Sequence, residues 1–147
     1  NILFISQLIE AKFPDYKEII PKDYKIAISV NRDELFAAIR RVSLLSDEKS
    51  HLLKFTLKEN ILSINAESLE RGYAHEEIEV KREIEGEELE IGFNSTYLYD
   101  ALKNMEEKEI RLDLISSTRP GIIRPCRGED YLYVVMPVRI KEEEGEE

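Results

Sequence analysis

The sequence predicts an α+β fold in which two β-α-β-β-β repeats form antiparallel sheets with two helices on one face. Three observations support this prediction. An offset of 63 residues aligns residues 26–31 with residues 89–94. Both segments have the two-residue periodicity of a strand, and both end in Asn. Apolar residues at helical spacing follow each Asn, and strand-like segments follow each predicted helix. Two helices with one apolar stripe each need a sheet against which to bury it.

The first repeat starts at Tyr24. Its first strand leads into Asn31, whose side-chain oxygen is suited to accept an N–H of the first helical turn. The helix that follows has an apolar stripe formed by Leu35, Ala38, Ile39 and Val42. Residues 58–60 separate two alternating segments and predict a hairpin, after which residues 72–80 predict a longer strand.

The second repeat has the same order of elements. Asn94 is the predicted N-cap, and the predicted helix carries apolar side chains at the equivalent places, Leu98, Ala101, Leu102 and Met105. Strands are then predicted at residues 110–114, 121–123 and 131–136. Pro137 ends the last strand because proline has no N–H to donate. The two repeats together predict one domain over residues 24–140.

The two ends of the chain are predicted to lie outside this domain. The chain begins with Asn rather than Met, and residues 2–5 have the composition of a strand, so we expect a fragment of a longer protein. Residues 13–16 predict a turn, and residues 19–23 predict a short strand that ends in a linker, with a domain boundary near Asp23. Residues 141–147 contain five Glu and one Lys and predict a disordered acidic tail.

Charge and composition exclude several functional classes. The net charge of −10, with ten Glu between residues 67 and 90, argues against a domain that binds nucleic acid by affinity alone. One Cys and two His are too few for a structural zinc site of the usual type, and the single Cys favours a reducing compartment. Because long apolar runs and a signal peptide are absent, the expected location is the cytoplasm.

The sequence contains no residue pattern typical of an enzyme. Neither glycine-rich phosphate-binding motif occurs, which argues against nucleotide hydrolysis. His51 and His75 lack an obvious nucleophile partner and are interpreted as structural or surface residues. Cys126 precedes Arg127, a cation that could lower the thiol pKa, but no catalytic motif accompanies it. The Glu pairs at 76/77 and 87/88 favour an acidic edge over acid–base catalysis, because adjacent strand residues point to opposite faces.

Two features fit more than one interpretation from the residues alone. Cations on or just beyond the predicted helices fit either a phosphate-facing surface or an ordinary solvated face; they are Arg32, Arg40, Arg41, Lys49, Lys103 and Lys108. Residues 131–140 fit either a core strand with a frayed end or an adaptable groove for apolar side chains. The second alternative arises because Met136 is flexible and Pro137 interrupts the strand.

Four motifs occur in collinear order along the chain. They are Phe13-Pro14-Asp15-Tyr16 followed by Pro21, Leu45-Ser46-Asp47-Glu48-Lys49, Ile91-Gly92-Phe93-Asn94 with Tyr97, and the run from Tyr133 to Ile140. Together they resemble the bacterial sliding clamp family, the beta subunit of DNA polymerase III holoenzyme. The resemblance implies the DNA-clamp (processivity) fold. It also implies that residues 1–23 are the end of the middle clamp domain plus a linker, and that residues 24–140 are the third clamp domain.

The resemblance further implies a non-enzymatic function in DNA replication. Sliding clamps close as homodimeric rings around duplex DNA and tether replication and repair proteins for processive synthesis. The implied partners are duplex DNA without sequence preference, the DNA polymerase III alpha subunit, the clamp loader delta subunit and other proteins with a clamp-binding motif. No cofactor, metal or catalytic residue is implied, although the holoenzyme is a DNA-directed DNA polymerase and a nucleotidyltransferase. A polymerase and a stand-alone peptide-binding module of the same fold are the competing interpretations.

Three sets of site residues follow from the resemblance. The DNA-facing helices would present Arg32, Arg40, Arg41 and Lys103. The subunit interface would contain Leu44, Leu45, Glu70, Glu76 and Glu77. The partner-peptide groove would contain Pro14, Ile19, Asn94, Tyr97, Thr118, Pro120, Val134, Val135, Met136, Pro137, Val138, Arg139 and Ile140.

Overall fold

The computed structural model describes residues 1–128 and 131–140. Its helices are α1 (Tyr16–Ile19), α2 (Arg32–Val42) and α3 (Ser95–Lys103), and a 3₁₀ turn, Ser43–Leu45, follows α2. The strands are β1 (Ile26–Asn31), β2 (Leu52–Lys58), β3 (Ile61–Ser68), β4 (Gly72–Glu79), β5 (Lys81–Ile84), β6 (Leu89–Asn94), β7 (Glu109–Leu114), β8 (Gly121–Pro125) and β9 (Tyr133–Val135). The predicted order β-α-β-β-β therefore occurs twice, with β5 inserted between the repeats.

The strands form two antiparallel sheets, with the orders β5-β1-β7-β8-β9 and β4-β3-β2-β6. Each sheet combines three consecutive strands of one repeat with the first strand of the other repeat. β1 pairs with β7 along its whole length, and β6 pairs with β2 in the same way. The repeats are therefore interlocked by an exchange of their first strands.

Both long helices begin after the predicted Asn residues. The Asn31 side chain accepts the N–H of Glu34 at 3.0 Å, and the Asn94 side chain accepts the N–H of Thr96 at 2.8 Å. These contacts satisfy N–H groups that the first turn of a helix leaves without an intrahelical partner. The prediction of two N-caps separated by 63 residues is confirmed.

One hydrophobic core joins both sheets and both long helices. The rings of Phe55 on β2 and Phe93 on β6 meet edge to face at 5.6 Å inside this core. Phe36 and Tyr99 lie 4.8 Å apart where α2 packs against α3. The predicted helical stripes are buried, namely Leu35, Ala38, Ile39, Val42, Leu98, Ala101, Leu102 and Met105.

Two local predictions were wrong. Residues 2–5 do not form a strand and are largely exposed, because no strand pairs with them in the described part of the chain. Residues 19–23 do not form the predicted strand, because Ile19 is the last residue of α1. Asp15 caps this helix by accepting the Lys17 N–H at 3.0 Å. The strand predicted over residues 72–80 is confirmed as β4, which ends at Glu79, whereas β5, by which the chain crosses to the other sheet, was not predicted.

The acidic tail at residues 141–147, predicted to be disordered, lies outside the described residues. Across residues 1–128 and 131–140, no helix is both long enough and apolar enough to cross a membrane. The same residues contain no group of three or more His, Cys, Asp or Glu side chains arranged to hold a metal ion.

Candidate partner-binding groove and helix surface

Neighbouring side chains at the end of β9 differ sharply in exposure. Met136 is 58% exposed and Val134 is 36% exposed, whereas Val135 is only 5% exposed. Successive strand residues point to opposite faces, so Val134 and Met136 share the outer face and Val135 points into the core. Val135 was included in the predicted groove, but in this structure it is a core residue.

Residues 136–140, which we call the C-terminal strap, cross from one sheet to the other. β9 lies at the edge of the five-stranded sheet, where Val135 is opposite Gly121. Beyond Pro137, Val138 forms an isolated antiparallel bridge with Gly92 of β6, the edge strand of the four-stranded sheet. The Val138 N–H donates to the Gly92 carbonyl at 2.8 Å. The strap therefore connects the edges of the two sheets.

The strap also borders a surface cavity. This cavity has a volume of about 760 Å³ and lies on the outer face of the four-stranded sheet. Its walls combine strap residues with Leu52, Lys54 and Tyr73 of the sheet. The Lys54 ammonium is 3.3 Å from the Glu90 carboxylate, which also lines the cavity.

The other predicted groove residues lie on separate segments of the chain. Pro14 and Ile19 flank or belong to α1 and are exposed, and Tyr97 is 60% exposed on α3. The structure brings α3 beside β9. Between α1 and the strap, all of whose residues are described, no hydrogen bond or ion pair forms. The remaining members are Asn94, which caps α3, exposed Thr118 and half-buried Pro120, both before β8.

Arg32, one of the four cations predicted to face DNA, is held by contacts within the chain. Its Nε–H donates to the Leu102 carbonyl at 3.0 Å, its guanidinium lies 5.2 Å from the Phe36 ring centre, and it forms an ion pair with Asp33. Leu102 belongs to the last turn of α3, where the helix dipole favours a positive charge. Arg32 therefore links the start of α2 to the end of α3.

Arg41 and Glu76 were predicted for two different surfaces, but they pair with each other. The Arg41 Nε–H donates to Glu76 Oε1 at 2.6 Å, and an Nη2–H donates to Oε2 at 2.7 Å. This two-point contact keeps the pKa of Glu76 below its usual value and raises the pKa of Arg41. Arg40 and Lys103 are exposed and make no ion pair with any residue that the structure describes.

β4, which carries part of the predicted subunit interface, is an edge strand of the four-stranded sheet. Glu77 points away from Arg41, since it accepts the Ser63 hydroxyl at 3.4 Å and lies 3.2 Å from the His75 ring. The prediction that Glu76 and Glu77 point to opposite faces is confirmed. The other residues predicted for this interface are the 68%-exposed Leu44, the half-buried Leu45 and the exposed Glu70.

Of the residues considered for catalysis, His75 and Glu77 are in contact, and both are exposed. Partial burial, together with the Glu109 charge, raises the pKa of the Cys126 thiol, so the expected lowering by Arg127 is wrong. His51 and His75 are both exposed, as the surface interpretation predicts.

Two features were not predicted from the sequence. One is the docking of the strap, which the missing side chain of Gly92 permits. A glycine inside a strand pattern often marks a place where another backbone approaches closely, and this was the sequence feature that could have indicated it. Buried Asp113 accepts the Nε–H of Arg111 at 2.5 Å and of Arg124 at 2.8 Å, which joins β7 to β8. Its only sequence signal was an acidic residue in an apolar strand.

Comparison with known proteins identifies the fold and the family. The sequence model of the DNA polymerase III beta subunit, C-terminal domain, matches residues 17–139. The chain belongs to this family. The beta sliding clamps of Haemophilus influenzae and Staphylococcus aureus are 36% and 31% identical to it over 140 residues. These alignments cover 95% of the chain but only 38% and 37% of the two relatives, so the chain spans less than two fifths of their length.

Solved clamp structures have the same architecture. A Pseudomonas aeruginosa sliding clamp with ligand superposes with a TM-score of 0.85 at 34% identity, over 92% of this chain and 36% of that chain. The beta subunit of Thermotoga maritima gives 0.84 at 38% identity, over 90% and 35%. Another Pseudomonas aeruginosa clamp, bound to griselimycin, gives 0.84 at 34% identity, over 92% and 36%. The DNA-clamp fold expected from the resemblance is confirmed.

Proposed function

We propose that this chain is part of a replicative sliding clamp, which encircles duplex DNA as a ring dimer and has no catalytic activity of its own. Membership of the beta subunit family is the observation that carries this proposal. Residues 24–140 would supply the third clamp domain and residues 1–23 the end of the middle domain. In the cytoplasm, the complete clamp would tether the DNA polymerase III alpha subunit and be loaded through the delta subunit of the clamp loader.

The groove would bind the clamp-binding motif of each partner through apolar anchors and a polar rim. Met136 and Val134 offer exposed apolar side chains on one face, and Tyr97 offers an exposed ring on the adjacent helix. Ile19 and Pro14 would add a second apolar wall. Val135 would support this surface from the core rather than contact a partner. Asn94, Thr118 and Arg139 would contribute polar groups at the rim, beside Pro120, Pro137, Val138 and Ile140.

The helix surface would contact DNA phosphates weakly. Arg40 and Lys103 are exposed, whereas Arg32 and Arg41 are already bound to groups of the same chain. Each firm phosphate contact adds a salt-dependent contribution to affinity and slows sliding. A surface with few available cations suits a protein that is held on DNA by encirclement.

The free edge of β4 and the exposed Leu44 would form the contact with a second subunit. An edge strand carries unpaired N–H and C=O groups that can pair with another chain. Leu45, Glu70, Glu76 and Glu77 lie on or near this edge. Because Glu76 is already engaged by Arg41, Glu70 and Glu77 are the acidic residues that would meet cations of the partner subunit.

A primer-extension assay with the full-length protein tests this proposal. DNA polymerase III core and clamp loader are supplied with a primed circular template, with and without the protein. We expect the protein to lengthen the products of each polymerase binding event and to synthesise no DNA alone. Synthesis by the protein alone would make it an enzyme. Peptide binding without any increase in processivity would favour a stand-alone module of the same fold.

A further inference from the structure

We propose that Gly92 is a positioning residue for partner binding. Its lack of a side chain lets the C-terminal strap dock on β6, and this docking holds Met136 and Arg139 in the geometry that the groove requires. The inference rests on the proposed peptide-binding function. It assigns a role to a residue that need not touch the partner, because Gly92 acts through Val138.

The space at Gly92 is too small for any side chain. A Cβ atom at this position would lie 2.5 Å from the Val138 carbonyl oxygen, 2.8 Å from a Leu52 methyl group and 3.0 Å from Ile140 Cγ1. The first contact is with backbone, which cannot rotate away as a flexible side chain can. Gly92 does not have a positive φ, so its strand conformation is available to alanine. A substitution here therefore introduces a steric clash without backbone strain.

The strap, rather than β6, is the part that must move. β6 pairs with β2 at six consecutive positions, and Ile91 and Phe93 on either side of Gly92 are buried in the core. The strap is attached to β6 by the single hydrogen bond from the Val138 N–H to the Gly92 carbonyl. It also borders the 760 Å³ cavity, so packing on that side offers little resistance to displacement.

Displacement of Val138 would be transmitted along the strap in both directions. Pro137 restricts rotation between Val138 and Met136, and Arg139 follows Val138 directly. Met136 is the most exposed of the apolar side chains on β9 and the strap. It is therefore the best candidate in this segment for an apolar anchor of the bound partner. A Cβ at residue 92 is thus expected to weaken partner binding while β6 and the core keep their structure.

The test compares Gly92→Ala with Gly121→Ala, a matched glycine in β8. The Gly121 Cβ would meet side-chain atoms of Phe93 at 3.0 Å and Leu114 at 3.1 Å, so the nearest clashes of this control are with core side chains rather than with strap residues. Hydrogen exchange of the Val138 amide in the 147-residue chain measures docking. Calorimetric titration of the full-length protein with a synthetic peptide that carries a clamp-binding motif measures partner binding. Thermal unfolding of both variants measures stability.

We expect Gly92→Ala to accelerate exchange of the Val138 amide at least tenfold and to weaken peptide binding at least tenfold, with little change in melting temperature. Gly121→Ala should lower the melting temperature and retain binding. Unchanged protection of Val138, or unchanged affinity after release of the strap, would overturn the inference. Equal losses of affinity in both variants would also overturn it, since general destabilisation would then be the cause. If the wild-type full-length protein does not bind the peptide, the proposed groove is contradicted, while exchange of the Val138 amide still tests whether Gly92 docks the strap.

Discussion

At the residue scale, Val134, Val135 and Met136 illustrate how strand geometry separates binding from stability. The three apolar side chains are consecutive, yet only the middle one is buried. Removing an exposed side chain costs little folding energy because the folded state already leaves it in water. Partner binding and core packing can therefore be tested separately on neighbouring residues.

We predict that Met136→Ala in the full-length clamp weakens binding of a clamp-binding peptide by about 1 to 2 kcal/mol, a value typical of an interface hot spot. The free energy of unfolding should change little because Met136 is 58% exposed. The control Val135→Ala should instead reduce the free energy of unfolding by roughly 1.5 to 3 kcal/mol. Peptide titration and denaturant unfolding measure both quantities. Large destabilisation by Met136→Ala with unchanged peptide affinity would remove Met136 from the groove.

A second prediction at this scale concerns the Arg41–Glu76 pair. The pKa of Glu76 lies below its usual value of 4.5, mainly because of the hydrogen bond from Arg41. The pair therefore contributes to stability above about pH 4.5, and the contribution is lost as the pH falls through the lower pKa of the folded state. We expect Glu76→Gln to lower the melting temperature at pH 7 and to have no effect once the carboxylate is protonated.

Melting curves of wild type and Glu76→Gln between pH 7 and pH 3 check this prediction. Glu77→Gln is the matched control, because Glu77 points to the opposite face and does not contact Arg41. Glu77→Gln should not show the loss of melting temperature at pH 7 that is expected for Glu76→Gln. A melting-temperature difference for Glu76→Gln that grows as the pH falls would contradict the assigned pairing.

At the element scale, the two Asn caps define where the long helices begin. Both side chains accept an N–H of the first turn, but only Asn94 belongs to the proposed groove. We predict that Asn31→Ala and Asn94→Ala each cost about 1 kcal/mol of stability through the lost cap. Only Asn94→Ala should also weaken peptide binding in the full-length clamp.

Denaturant unfolding and peptide titration of the two variants decide this prediction. Asn94→Asp supplies a control that keeps a capping oxygen and should recover the stability of the helix start. If Asn31→Ala and Asn94→Ala reduced peptide affinity equally, the effect would come from loss of helix structure and not from the groove.

At the scale of the whole molecule, net charge bears on the proposed contact with DNA. The chain has a net charge of −10, and two of its four candidate DNA-facing cations are bound to groups within the chain. We predict that the isolated chain does not bind duplex DNA appreciably at physiological salt, because encirclement needs the complete ring. Fluorescence anisotropy with labelled duplex DNA measures this. A micromolar or tighter complex that weakens with added salt would contradict the prediction.

Much of the fold was predictable because its signals are local. The 63-residue repeat, the two Asn caps and the apolar stripes of α2 and α3 each depend on a few neighbouring residues, and all three are confirmed. The wrong predictions concern segments whose conformation depends on distant partners. Residues 2–5 have strand composition, but no strand pairs with them in the described part of the chain, and residues 19–23 belong to neither sheet. β5, which was not predicted, forms because β1 offers Lys81–Ile84 an edge in the other sheet.

For the candidate site, the sequence by itself indicated the family, because the order of the motifs is a property of the chain. It left residues 131–140 open between a core strand and a groove, and the structure showed that Val134 and Met136 are exposed while Val135 is buried. Only the tertiary structure decided that the repeats exchange their first strands, that Arg41 pairs with Glu76 and that Val138 docks on Gly92. These contacts join residues 35 or more positions apart. Their geometry depends on how the two sheets and helices pack around the common core, which no local pattern encodes.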